Sequence, residues 1–281
     1  MTPIIEYLKY FLKDYAIQFN GSFSRYKKNV IKCYWCRANN FGDWLTPEIL
    51  SYYGFTPVFA SASDAEIISV GSIMEQIPQL YGGKIIGTGF IDNNVLSFPN
   101  AEIIGVRGHN SAKNIGCTPS SVLLGDPGLL INKILYSKNI RKQGKYDLGI
   151  VPHVSDINHS FIKSLRLKNV LIIDPRDSPV AVAQKISKCK NILSSSLHGL
   201  IFSDSLGIPN RRVVISGRLK GGDFKFNDYY SCFSLSEEPL YSSAIEDYTL
   251  EKLVASCTMK DQVKIEMMIS NLDKYFKGLS K

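Results

Sequence analysis

No uncharged apolar run in these 281 residues reaches the ~18 that a membrane-spanning helix needs. Residues 1–19 carry Glu6, Lys9, Lys13 and Asp14 among their apolar positions, so no secretory leader is expected there. Cysteine is sparse: six residues scattered along the chain fit reduced thiols in the cytoplasm better than a disulfide framework. Cys33 and Cys36 form a CxxC, but no second Cys or His pair follows at zinc spacing, so no metal site and no cofactor are expected. No block of Lys and Arg with interleaved aromatics occurs, which makes nucleic acid the weakest partner class. Internal repeats and low-complexity tracts are also missing, which removes solenoids and fibrous chains.

What is there is ordinary globular composition with a net charge of +8. That charge favours an acidic partner, such as a phosphorylated substrate or an anionic membrane surface. The length suits two domains of roughly 100–150 residues. Ile5, Leu8, Leu12, Tyr15 and Phe19 share one face of a helix over 4–19, packed on the body or lying on a membrane. Short apolar runs then alternate with helical stretches. Strands are expected at 29–35, 66–70, 84–87, 102–106 and 122–124, with a helix at 44–53. The pattern restarts after the polar stretch SKNIRKQGK at 137–145. Strands follow at 146–151, 170–173, 191–194 and 211–215, and helices at 160–167, 179–188 and 197–206. Two more helical runs, near 247–257 and 259–277, close the chain. Such alternation implies parallel sheets covered by helices, an α/β protein. The division expected is residues 1–136 against residues 146–281.

Open parallel sheets bind ligands beyond the carboxyl ends of their strands. The loops there read NNFGD (39–43), VGS (70–72), GTG (87–89), RGHN (107–110), GDPG (125–128), VPH (151–153) and SSSLHG (194–199). In the last, Ser194, Ser195 and Ser196 end a strand and start a helix. Free backbone N–H groups and the helix dipole favour an anion at such a junction, and the hydroxyls add donors. His198 in the first turn is the first candidate for acid–base work. Asp43 is the second, or else a helix cap. His153 closes a strand and suits a cleft. Asp126 reads as a turn former, and His109 and His159 as surface residues. Gly71, Ser72, Gly87, Thr88, Gly89 and Gly199 lie where a donor would be held. Asn40 and Gly42 lie at the opposite mouth.

In this order, NNFGDWLTPEIL (39–50), GTG, VRG (106–108), LGDPGLL (124–130) and SSSLHGLIFSDSLGIP (194–209) resemble the polysaccharide pyruvyl transferase family. The resemblance runs from about residue 30 to about residue 230. GGDFKFNDYY at 221–230 is similar to the bacterial exopolysaccharide and capsule branch. The resemblance implies two Rossmann-like domains facing a cleft, similar to the B-type glycosyltransferase fold. It implies transfer of pyruvate from phosphoenolpyruvate, as co-substrate, to two hydroxyls of a sugar as a cyclic ketal. The acceptor it implies is a lipid-linked repeat unit at the inner face of the cytoplasmic membrane.

Many members carry Arg immediately before Leu-His-Gly, where this chain has Ser196. A serine cannot make the charged bidentate contact of an arginine. Another cation is then needed for the donor, from among Arg107, Arg211, Arg212, Arg218, Lys220 and Lys225. Arg107 directly follows a strand and is ranked first. Arg211 and Arg212 begin a strand and are placed far from the ligand edge. Phe224, Phe226, Tyr229 and Tyr230 fit either stacking on the acceptor sugar or core packing. Two other readings stay open: a glycosyltransferase with a nucleotide-activated sugar donor, and a carbohydrate-binding subunit without catalysis. His198 and Asp43 argue against the second.

Overall fold

Parallel strands are covered on both faces, so they read as short apolar runs rather than alternating ones. The computed structural model describes residues 29–164, 168–217, 221–236, 238–245 and 249–279. The helix expected over 4–19, and Arg218 and Lys220, lie outside them. Strands β1 (Val30–Tyr34), β2 (Thr56–Phe59), β3 (Ile67–Ile68), β4 (Lys84–Ile86), β5 (Glu102–Val106) and β6 (Leu123–Leu124) form one six-stranded sheet. Its order is β2-β1-β3-β4-β5-β6, and every neighbouring pair is parallel. Strands β7 (Leu148–Val151), β8 (Val170–Ile172), β9 (Ile192–Ser194), β10 (Asn210–Val214) and β11 (Leu240–Tyr241) form a second sheet in the order β11-β10-β9-β7-β8, again all parallel. The protein is therefore of the α/β class, built on two separate parallel sheets.

Several elements escaped the sequence pattern, among them β2, β11 and the helices His109–Asn114, Ile131–Ser137 and Phe224–Ser231. Strand β2 contains Pro57, which a central strand would exclude. It is tolerated because β2 is the edge of its sheet. The helix Phe224–Ser231 shows in the sequence only as an aromatic stretch.

The halves share a core. Phe41, Trp44 and Leu45 from the first pack in one cluster with Leu197, Ile201 and Phe202 from the second. Phe41 and Phe202 meet edge to face at 5.1 Å, and the Phe41 N–H donates to the Pro175 carbonyl at 2.9 Å. The closing helix Gln262–Leu279 belongs to the second half in sequence but packs on the first. Phe276 stacks on Tyr53 at 5.4 Å, and the Tyr53 hydroxyl donates to Asp273 at 2.7 Å. Among the described residues, no helix is long and apolar enough to cross a membrane.

Candidate active site

The loops after β1, β3, β7 and β9 converge on a cavity of about 230 Å³. Asn40, Asp43 and Ser72 line it from the first half, and His153, Ser196, His198 and Lys225 from the second. A larger groove of about 510 Å³ runs beside Lys84, Glu102 and Tyr275. Lys84 and Glu102 begin β4 and β5, so that groove lies at the opposite edge from the ligand-binding strand ends.

The serine junction is only partly what its sequence suggests. The Ser194 hydroxyl is buried and lies 2.8 Å from both the Val151 and Ser196 carbonyls. Ser195 donates to Asp156 at 2.7 Å and accepts the His153 N–H at 2.8 Å. These two hydroxyls brace β9 against the loop after β7. Only Ser196 reaches the cavity, as N-cap of the helix Leu197–Ser205, and its side chain makes no capping bond. Gly199 sits inside that helix, against Val151.

Asn40 caps the short turn Phe41–Trp44 through its side chain, which accepts the Gly42 N–H at 3.4 Å. The turn brings Gly42 flat against the His198 ring. A Cβ there would overlap Nδ1 and lie 2.7 Å from Cγ. Gly42→Ala should therefore turn the ring and lower kcat by about 10²-fold with little loss of fold. Kinetics beside a thermal melt check this, and an unchanged kcat would show that the ring has room to yield. On the other side, His198 Nε2 stands 3.6 Å from Asp126 Oδ2. Asp126 is the turn former expected, since Oδ1 accepts the Gly128 N–H at 2.8 Å. Its other oxygen, turned toward the histidine, was missed. Nothing local in GDPG signals it.

Electrostatics single out three groups. Burial pushes Asp43 up to about 6, against the pull of His198, Asn40 and Lys225. Burial brings Lys225 down to about 8, helped by the Arg107 charge and opposed by Asp43. Burial, with Lys225 beside it, lowers His153 to about 4, so its ring is neutral near pH 7. A carboxyl that keeps its proton toward neutrality and a cation that loses its own not far above are acid–base equipment.

The model of the family described as polysaccharide pyruvyl transferase matches residues 2–216. The chain belongs to that family. It is 30% identical over 249 residues to the uncharacterized protein L143 of Acanthamoeba polyphaga mimivirus, covering 83% of this chain and 76% of that one. It is 26% identical over 220 residues to the succinoglycan biosynthesis protein ExoV of Rhizobium meliloti, covering 73% of this chain and 66% of that protein. The relationship supports the exopolysaccharide branch.

For this pyruvyl transferase family member, the cation lining the cavity among the described residues is Lys225, not Arg107. The Arg107 side chain is fully buried. Nε donates to Asp228 at 2.9 Å, and the terminal nitrogens donate to Ser72 and the Phe90 carbonyl, both at 2.5 Å. Arg107 follows a strand, as expected, but its charge is spent on a carboxylate from the other half. Arg212 also departs from expectation. It pairs in register with Ser194, at the ligand edge rather than far from it, because β9 is short. Its guanidinium lies 3.8 Å over the Phe226 ring and bonds Asp223. Arg211 donates to the Glu238 carbonyl.

The glycine loops serve as frame. Thr88 is buried and its hydroxyl donates to the Gly71 carbonyl at 2.8 Å, while the Gly89 N–H donates to the same carbonyl. Gly87 has φ of 74°, and a Cβ there would strike Pro127. Of these donor-site candidates only Ser72 lines the cavity. Tyr229, expected at the acceptor, is fully buried with its hydroxyl donating to Asp204 at 2.9 Å. Phe224 packs partly buried on the first half's core. His109 and His159 are partly buried rather than free on the surface. Cys33 is buried, whereas Cys36, past the end of β1, lines the cavity, and both are free thiols. Among the described residues no cluster of His, Cys, Asp and Glu could hold a metal.

Proposed function

We propose that this chain moves the pyruvyl group of phosphoenolpyruvate onto two hydroxyls of a polysaccharide repeat unit as a cyclic ketal. We further propose that the unit is lipid-linked and met at a membrane face, and that the two halves face each other in the B-type glycosyltransferase manner. One observation carries the reading. A single cavity holds a carboxyl near 6, the His198 ring and a cation near 8. Protonated Asp43 gives its proton to the methylene carbon of the donor, leaving positive charge on the central carbon. A sugar hydroxyl attacks there as His198 takes its proton. His198 returns that proton to the departing phosphate. The second hydroxyl closes the ring and its proton restores Asp43, so every proton is accounted for. Lys225 and the N–H groups opening the helix Leu197–Ser205 balance the anionic donor.

The sign of the pH dependence follows. Asp43 must be protonated and Lys225 charged. Above about 6 the first form drains away, and above about 8 the second. We expect kcat/KM to fall about tenfold per pH unit across that window and about a hundredfold per unit beyond it. Asp43→Asn should leave a small residual rate that stays flat until the Lys225 step. A rate that rises through pH 6–8 would reverse the role given to Asp43.

Incubation with an undecorated repeat-unit oligosaccharide and phosphoenolpyruvate tests the reaction itself. The expected result is phosphate release matched to a product carrying the mass of a pyruvate ketal. Turnover with a nucleotide-activated sugar instead would give the cavity to glycosyl transfer.

A further inference from the structure

We infer that Asp126 is the positioning residue of this site, fixing the orientation and tautomer of the His198 ring. This rests on the proposal that His198 carries protons. Asp126 is fully buried and His198 is 7% exposed. Asp126 Oδ2 and His198 Nε2 are both buried, and neither has a hydrogen-bond partner among the described residues. They face each other at 3.6 Å, an ion-pair distance that a small ring tilt converts to a hydrogen bond.

The turn does not explain the charge. Capping Pro127–Leu130 needs only one acceptor, which Oδ1 supplies to Gly128. A serine or asparagine would cap as well without burying a carboxylate. An unpaired buried carboxylate oxygen is costly, so its presence calls for a proton to meet it. Nε2–H is that proton. The turn itself cannot swing away, because Gly128 is wedged between Ile201 and Leu45, with a Cβ there meeting them at 3.2 and 3.4 Å. With the proton held on Nε2, the lone pair of the neutral ring sits on Nδ1, the nitrogen on the Gly42 side of a ring that lines the cavity. As His198 takes a proton there, Asp126 stabilises the positive ring. No other group needs to choose the tautomer.

The test uses the whole protein and has one readout that needs no substrate. In ¹⁵N-histidine spectra, assigned by comparison with His198→Gln, native His198 should show the Nε2–H tautomer. Asp126→Asn should shift it toward Nδ1–H. Asp126→Ser keeps the cap and removes the carboxylate. Its kcat should drop about 10²-fold, with donor KM and melting temperature nearly unchanged. A native Nδ1–H tautomer, or Asp126→Ser turning over within about threefold of the parent, would overturn the assignment. Should Asp126→Ser fold poorly, the native tautomer decides alone. Since the spectrum is read without donor, a failure of pyruvyl transfer and a failure of this inference are separately visible.

Discussion

His198→Ala is expected to lower kcat about 10²–10⁴-fold, equivalent to about 3–5 kcal/mol in the barrier. Among the described residues, the ring is the only imidazole set between Asp126 on one side and Gly42 on the other. His153, the other histidine at the cavity, hydrogen-bonds Ser155 at 2.8 Å through Nδ1 and is held neutral by burial. It cannot take over a role that depends on position. The fold should survive, because Phe41 loses its edge contact with the ring but keeps the closer one with Phe202. Donor binding should change little, since Lys225 and the helix start remain. Single-turnover kinetics together with calorimetry on phosphoenolpyruvate separate these effects. A variant that reacts like the parent with acceptor saturating would take His198 out of the mechanism.

Arg107→Ala should instead act on stability, costing about 3–5 kcal/mol. Its guanidinium and the Asp228 carboxylate are both fully buried, 121 residues apart in sequence. Asp228 also accepts the Ser111 N–H at 2.8 Å and the Ser111 hydroxyl at 2.6 Å. Removing the arginine strands a buried negative charge and frees the Phe90 carbonyl. For a chain of this size the melting temperature should drop by about 10 °C. The double variant Arg107→Met/Asp228→Leu should recover much of that, because a buried pair replaced by apolar groups is often near neutral. Calorimetric melts of both check it. If Arg107→Ala melted like the parent and raised only the donor KM, Arg107 would be a donor anchor after all.

The contrast between these residues marks where sequence reading stops. The apolar runs at β1, β5, β7 and β9 and the polar stretch after Ser137 report local facts. They show which segments are covered on both faces and where coverage lapses. Hydrophobic periodicity therefore sufficed for two parallel sheets and for placing the NNFGD and SSSLHG loops at their ligand edge. His198, Asp43 and Ser196 were legible because a strand end followed by a helix start has a fixed local geometry. Periodicity says that a face is covered, not by what. The helix Phe224–Ser231 crosses to the first half, where it puts Lys225 into the cavity and Asp228 under Arg107. That crossing reverses the ranking of the two cations. It also buries Tyr229, whose alternation with charges had fitted a sugar platform equally well. Asp126 meets His198 only because the GDPG turn and the helix Leu197–Ser205 pack together around Gly128 and Ile201. Charge compensation in a buried site is settled by neighbours in space. The sequence determined which residues were available for chemistry, and the packing of one half against the other decided which were left free to do it.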